Sequence, residues 1–264
     1  MMIRLFFLLP VLLCHAFLYS QNIEVIYKVN FQPKTDAKTI RTEYMKLQIS
    51  GNTSEFSPVT VQSDSIKRLD EDTYLNFSVL ANKSNLKYYG KFSDLQYFFQ
   101  EKIPDNWILS KQKKSKWNGY TTYEAKIKLD GREWTALYAP EIPVNSGPYK
   151  FSGLPGLILK VSSDDGEYHF EMFQLRKVEE ANQLQKNFSN YQQISKSKLH
   201  QYINDFIKDP AARSILLVNS FGDSYDYVFK GKSTEDYKNT NQFMKDIINK
   251  FNNPVDRKTF ILVY

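Results

Sequence analysis

The chain has 264 residues, 42% apolar and 15% aromatic, with 35 Lys and Arg against 29 Asp and Glu. A chain of this size buries about 70–75% of the surface its unfolded form exposes, so it can stabilise itself without disulfides. The formal charge of +6 is spread among acids, which argues against the concentrated basic face of a nucleic-acid binder.

Arg4 precedes an apolar run from Leu5 to Leu13, and the apolar stretch ends near Ser20. This pattern predicts a signal peptide over residues 1–20, cleaved near Ser20-Gln21, and hence an exported, periplasmic or surface-exposed or secreted protein. The run is shorter than the roughly 20 residues of a membrane span, and the mature chain has no candidate transmembrane segment. Cys14 offers a rival start as a lipid-modified residue, but Leu13 stands where that processing wants Gly, Ala or Ser. Cys14 is the only cysteine, so cleavage leaves a chain with no disulfide. Residues 21–264 are expected to form a single β-rich domain.

From Ile23 to Phe31 the odd positions are apolar, with Glu24, Lys28 and Asn30 on the other face; this predicts a half-buried strand. Lys111, Lys113, Lys114 and Lys116 form the densest basic run. It reads as a solvated loop, with contact to an anionic membrane or glycan surface as the functional alternative. Thr121 to Leu129 alternates again, Asp130-Gly131 supplies a two-residue turn, and Trp134, Ala136 and Tyr138 share one face of the return strand.

Pro140 to Gly156 then interrupts the pattern. Pro140, Pro143, Pro148 and Pro155 remove backbone donors and fix φ, so neither a regular helix nor an inner strand is possible. Ile142, Val144, Tyr149, Phe151 and Leu154 make the stretch too apolar for a linker. It is expected to be a rigid loop docked on the sheet. A second hairpin follows, Leu157–Ser162 and Glu167–Val178, around Ser163-Asp164-Asp165-Gly166.

Glu179 to Ser197 is polar and reads as a linker or decorated loop. Helical spacing returns with Leu199, Tyr202, Ile203, Phe206 and Ile207, stopped by Asp209-Pro210. A further helix is expected from Thr234 to Phe251, capped by Ser233, with Phe243, Met244, Ile247, Ile248 and Phe251 on one stripe. This C-terminal helical portion spans about 195–251, and Lys258 to Tyr264 reads as a last strand. The fold expected is mainly β, or β-rich α+β. Its core is a curved antiparallel sheet or half-barrel, with the proline-rich loop and the helices packed against it.

Four linked segments carry a resemblance: Trp134-Thr135-Ala136, Pro140-Glu141-Ile142-Pro143, Gly147-Pro148-Tyr149-Lys150-Phe151 and Gly153-Leu154-Pro155-Gly156-Leu157-Ile158. In order and spacing they resemble the GLPGLI family, exported proteins of Bacteroidetes named for that hexapeptide. The clear resemblance covers about 107–178. The chain departs from the family at Thr122, near which relatives often have Cys, and at Leu137 and Ala139, near which they have Trp and Thr. The resemblance implies export and a cell-envelope setting, and it brings no established biochemical activity with it.

No catalytic constellation is visible. His169 and Glu171 share a strand face near Asp164, Asp165 and Glu167, but a metal site needs three or four ligands and the remainder is missing. Glu141 is held between Pro140 and Pro143, where it can act in a site or simply bind backbone N–H groups or Arg132. Gly-x-Ser-x-Gly, phosphate-loop glycines and zinc spacings are absent. No catalytic residue, metal or cofactor is assigned. Trp134, Tyr138, Glu141, Tyr149 and Phe151 are the candidate ligand-binding residues, because aromatics on a curved sheet stack on sugars or line a lipid pocket; core packing is the competing role. The function expected is that of a noncatalytic binding or accessory protein of the envelope. Its partner would be an outer-membrane transport or assembly protein, or a glycan or lipid ligand. The alternative is a hydrolase of glycans or peptides that uses carboxylates brought together by folding.

Overall fold

The strand Asn22–Phe31 (β1) is the seam of one large sheet. The computed structural model describes residues 22–35, 38–59, 73–93, 95–178, 188–212, 234–250 and 252–258. On one side of β1 the chain runs as a meander through β2 (Arg41–Ser50), β3 (Thr53–Pro58), β4 (Phe77–Ala81), β5 (Asn85–Phe92) and β6 (Leu95–Lys102). On the other side lies a second meander: β7 (Ile108–Trp117), β8 (Tyr120–Leu129), β9 (Arg132–Ala139), β10 (Leu157–Ser163) and β11 (Tyr168–Val178). β11 closes back onto β1, so the order is β6-β5-β4-β3-β2-β1-β11-β10-β9-β8-β7. A two-residue strand, β12 (Gln192–Gln193), adds to β6 in the parallel sense; every other pairing is antiparallel.

Connectivity forces the sheet to curl. β6 and β7 are ten strand positions apart, about 48 Å in a flat sheet. Yet the chain passes from Lys102 to Ile108, a path of at most about 22 Å. The two ends of the sheet must therefore approach each other, and the result is an open, strongly curved half-barrel.

Its concave face is the core. Tyr27, Val29 and Phe31 of β1 and Met45, Leu47, Phe56, Phe77 and Tyr88 of the first meander share it with Trp134, Ala136, Ile158, Val161, Phe170 and Tyr168 of the second, all buried. Loop 140–156 fills the space between the two walls. Tyr149 packs edge-on against Phe77 at 5.6 Å, and Phe151 packs edge-on against Trp134 at 4.9 Å. The two rings meet each other at 5.7 Å.

The glycines of this loop answer to geometry. Gly156 has φ +146°, and a Cβ there would lie 2.4 Å from the Ala139 carbonyl oxygen. Gly153 has φ +90° and faces the Pro104 carbonyl. The hairpin turn at Asp130-Gly131 has positive φ at both residues, 52° and 83°, as a type I′ turn requires.

Helix α1 (Lys196–Lys208) starts at Ser195, whose side chain accepts from the Lys198 N–H. It buries Leu199, Ile203 and Phe206, and Phe206 packs edge-on against Phe92. Helix α2 (Thr234–Lys250) contributes Ile248 to the core. Among the described residues no helix is long and apolar enough to cross a membrane.

Several expectations change. The basic run does not form a loop: it lies on β7, and Lys114 and Lys116 are solvated as strand residues. Glu24 is buried rather than solvated, because Arg176 folds over it and donates at 2.8 Å from Nε. The tail of the supposed linker is docked: Phe188 stacks on Tyr89 at 3.8 Å, and β12 pairs with β6. Phe243 is exposed, so the buried stripe of α2 is narrower than its spacing suggests. Ser233, Phe251 and residues 259–264 lie outside the described residues.

Candidate functional site

Of the five ligand-binding candidates, Trp134, Tyr138, Tyr149 and Phe151 are buried in the core. The fold brings Trp134, Tyr149 and Phe151 into one aromatic cluster with Phe170 and Phe77, and it leaves them no face to solvent. Tyr138 packs beside Tyr123 on the same face. Glu141 is the exception: it is exposed, and its Oε1 accepts the Thr121 N–H at 3.1 Å. His169 lies on the outer face with both ring nitrogens engaged, Nδ1 with Ser162 Oγ and Nε2 with the Gly166 carbonyl, each at 3.0 Å. Glu171 pairs with Lys160. Among the described residues no group of three or more His, Cys, Asp and Glu is arranged to hold a metal.

The densest polar chemistry lies at one end of the half-barrel, where loop, sheet edge, helix and C-terminal segment converge. Lys150, between Tyr149 and Phe151, carries its ammonium into the interior. Its Nζ lies 2.8 Å from Asp130 Oδ2, 2.7 Å from Glu101 Oε2 and 3.5 Å from Asp256 Oδ2. The Glu101 contact is an ion pair, not a directed hydrogen bond. The rings of Tyr88, Phe99 and Tyr149 surround the same nitrogen at 5.2–5.4 Å, within cation–π range.

Lys196, the first residue of α1, adds a second ammonium. It meets Glu101 Oε1 at 2.5 Å and Asp256 Oδ2 at 3.2 Å, above the Phe99 ring. Two cations and three carboxylates thus link the end of β6, the β8–β9 turn, the proline-rich loop, α1 and residue 256. The cluster ties β6, near one end of the curled sheet, to the β8–β9 turn of the other wall.

Its electrostatics follow from this geometry. Burial pushes the Glu101 carboxyl up, but the Lys150 and Lys196 ammoniums outweigh that and hold it below the usual carboxylate range. Burial would lower Lys196, yet Asp130, Asp256 and Glu101 raise it above the ordinary lysine value. Burial, then Asp130, raises the Tyr149 phenol well above its usual value, and its O–H donates to Asp130 Oδ2 at 2.6 Å.

A second cluster adjoins it. Arg132 is fully buried against the Tyr168 ring and donates to Asp165 and Glu167, each at 2.6 Å. Its remaining donors reach Asn253 Oδ1 and the carbonyls of Pro254 and Val255. Arg257 pairs with Glu167 from the other side. The planar fork of Arg suits this many-sided capture of backbone and carboxylate. Segment 252–258 is pinned by both clusters.

Solvent reaches the first cluster through a cleft of about 410 Å3, lined by Phe99, Gln100 and Glu101 of β6 and by Gln193, Ile194, Ser195 and Lys196. Gln100, Gln193 and Ser195 are exposed, and Lys196 and Glu101 are partly so. The arrangement offers amides, a hydroxyl and a paired acid and base to a polar ligand. None of these residues was a candidate on sequence. The signal available was Lys150 itself, a lysine between two aromatics in an apolar loop.

Over residues 90–160 the chain matches a family model described as a protein of unknown function (Porph_ging). That stretch holds all four of the linked motifs, and the likeness to it is what the match shows; the GLPGLI name stays a resemblance. No curated protein matches the chain. Among solved structures it is similar to PNGF-II in two crystal forms, C2 and P21. Identities are 15% and 14% and TM-scores 0.48 and 0.47, over 66% of this chain in each case. The chain spans less than a third of PNGF-II, 30% and 31% of its length in the two forms. It is also similar to the LolA superfamily protein NE2245 from Nitrosomonas europaea, at 8% identity and a TM-score of 0.30, over 64% of this chain and 91% of that one. At these scores none of the three bears on activity, ligand or partner.

Proposed function

We propose that this chain is an exported binding or accessory protein of the cell envelope that acts without turnover, and that the cleft beside β6 and α1 receives its ligand. The observation that carries the reading is how the converging carboxylates are used. Glu101, Asp130 and Asp256 surround Lys150, and Glu101, the one bordering the cleft, is held below the usual carboxylate range. A glycosidase-type acid needs the opposite, a carboxyl kept protonated near neutral pH. The concave interior is filled by Tyr149 and Phe151, which supports a polar glycan or peptide in the cleft over an acyl chain inside the sheet. Export rests on the charge and hydropathy of residues 1–20.

The test sets binding against turnover. Solubilised envelope glycans and peptides are titrated against the purified protein, and the products are followed by mass spectrometry. Saturable binding that weakens in Gln100→Ala or Gln193→Ala, with no new products, supports the reading. Product formation that Glu101→Gln abolishes would overturn it in favour of the hydrolase. An intact mass of the exported protein that does not begin near Gln21 would remove the export step.

A further inference from the structure

The outer edge of β7 is a second surface with a specific chemistry. Among the described residues β7 pairs with β8 alone. The register shows which backbone groups it offers. Thr121 sends its N–H to Glu141, away from β7, and stands opposite Lys116. In an antiparallel ladder two opposite residues either exchange both bonds or turn both sets of groups away from each other. Lys116 therefore points its N–H and C=O at the free edge, and by alternation so does Lys114.

The side chains add charge of one sign. β7 contains four lysines and no acid. Lys114, Ser115 and Lys116 are exposed. At the start of the strand Ile108 and Leu109 are 72% and 49% exposed, two of the most exposed large apolar residues described. A register shift between Leu109 and Lys114 interrupts the ladder.

We infer that β7 takes up an extended, acidic peptide segment of a partner protein as an added strand. Main-chain bonds to Lys114 and Lys116 would supply the pairing, and the lysines would supply the selection. The same lysines and the bulge oppose pairing with a second copy, because two such edges would set like charges face to face. An anionic membrane would use the charges but leave the outward amides and carbonyls unused, which is why a peptide fits better. The inference goes beyond the cleft reading above, on a separate surface of the sheet.

The test is fluorescence anisotropy of a short labelled peptide of alternating Val and Glu with the full protein at low salt, with phosphatidylglycerol vesicles in parallel. Binding should be saturable and should weaken with salt. Lys116→Ala should weaken it by about threefold through lost charge. Lys116→Pro, which also removes the outward N–H, should weaken it by about tenfold or more. Thermal melting checks that both variants fold. If the proline variant does not, Lys114→Glu with Lys116→Glu takes its place: it should abolish binding of the acidic peptide and admit a Val–Lys peptide. Equal affinities for the Ala and Pro variants, vesicle binding without peptide binding, or no binding at all would each overturn the inference. An acidic peptide held equally by wild type and Lys116→Pro sinks the β7 edge alone, whereas turnover lost in Glu101→Gln sinks the cleft-binding reading alone.

Discussion

Loop 140–156 and strand β7 both depart from regular sheet, the loop through prolines and the strand through a bulge, yet they end in opposite environments. The loop turns inward because Tyr149, Phe151 and Leu154 can be buried, and its one charged interior group, Lys150, is met by three carboxylates. β7 stays outside, and its Lys114 and Lys116 are exposed. A motif-rich segment is therefore a determinant of fold, while an unremarkable lysine run presents the more available surface. Chemistry offered to a ligand sits at the rim, in the cleft and along the edge.

Substitutions in the two regions can break that contrast. The largest effect is expected for Lys150→Met, which leaves Glu101, Asp130 and Asp256 short of a cation; chemical denaturation should show a loss of about 3–5 kcal/mol. Gly156→Val comes next. Its side chain would meet the Ala139 carbonyl at a distance no real Cβ tolerates, and a loss of about 3 kcal/mol is expected from the same measurement. Gly153→Val has more room but the same unfavourable φ, and should cost about 1–3 kcal/mol. If any of these variants melts like the wild type, the loop is not the structural element described.

Acid should act on the same end of the molecule. The folded-state pKa of Glu101 is lowered from 4.5, and that of Asp165 from 3.8. For Asp165 burial opposes the shift, and the Ser163 hydroxyl, the Glu167 N–H and Arg132 outweigh it. Both carboxyls bind protons more weakly in the folded chain, so their contribution is complete above the unfolded values and is lost as pH falls through the folded ones. The melting temperature should hold from neutral pH to about 5 and decline below that; a steady midpoint down to strong acid would contradict the ion network. The smallest change is expected at the rim: Glu141→Gln and Lys116→Ala should each stay within about 0.5 kcal/mol of wild type by thermal melting. A large loss in either would mean that the rim supports the fold after all.

Much of the fold is legible in the residues. Alternation marks β1, β8, β9 and β11, Asp130-Gly131 marks one turn, and Ser163-Asp164-Asp165-Gly166 marks the hairpin that joins β10 to β11. β3 and β5 carry weaker signals. β3, Thr53–Pro58, has Phe56 as its only large apolar residue. β5 has Gly90 on its buried face, where the Tyr97 hydroxyl lies 2.5 Å from the place a Cβ would take. The run Lys111–Lys116 reads as loop because charge masks a strand whose burial is one-sided at best. The candidate site was legible only in part: Glu141 holds a backbone N–H, one of the roles its loop position suggests, whereas Trp134, Tyr149 and Phe151 are aromatic in sequence whether they face solvent or core.

The sequence by itself determined that β1, β8, β9 and β11 would be strands, where two hairpins turn, and that loop 140–156 could be neither helix nor inner strand. Each of these is written in neighbouring residues, as period-two alternation or as the φ limits of Gly and Pro. β2 to β7 were not among the strands it assigned. The curl of the sheet, the burial of Lys150 and the cleft beside α1 were decided by tertiary structure. They depend on contacts between residues far apart in the chain, 20 positions for Lys150 with Asp130, 60 for Lys196 with Asp256 and 121 for Arg132 with Asn253. A charge finds such partners only once the sheet has bent, and no local pattern records the meeting.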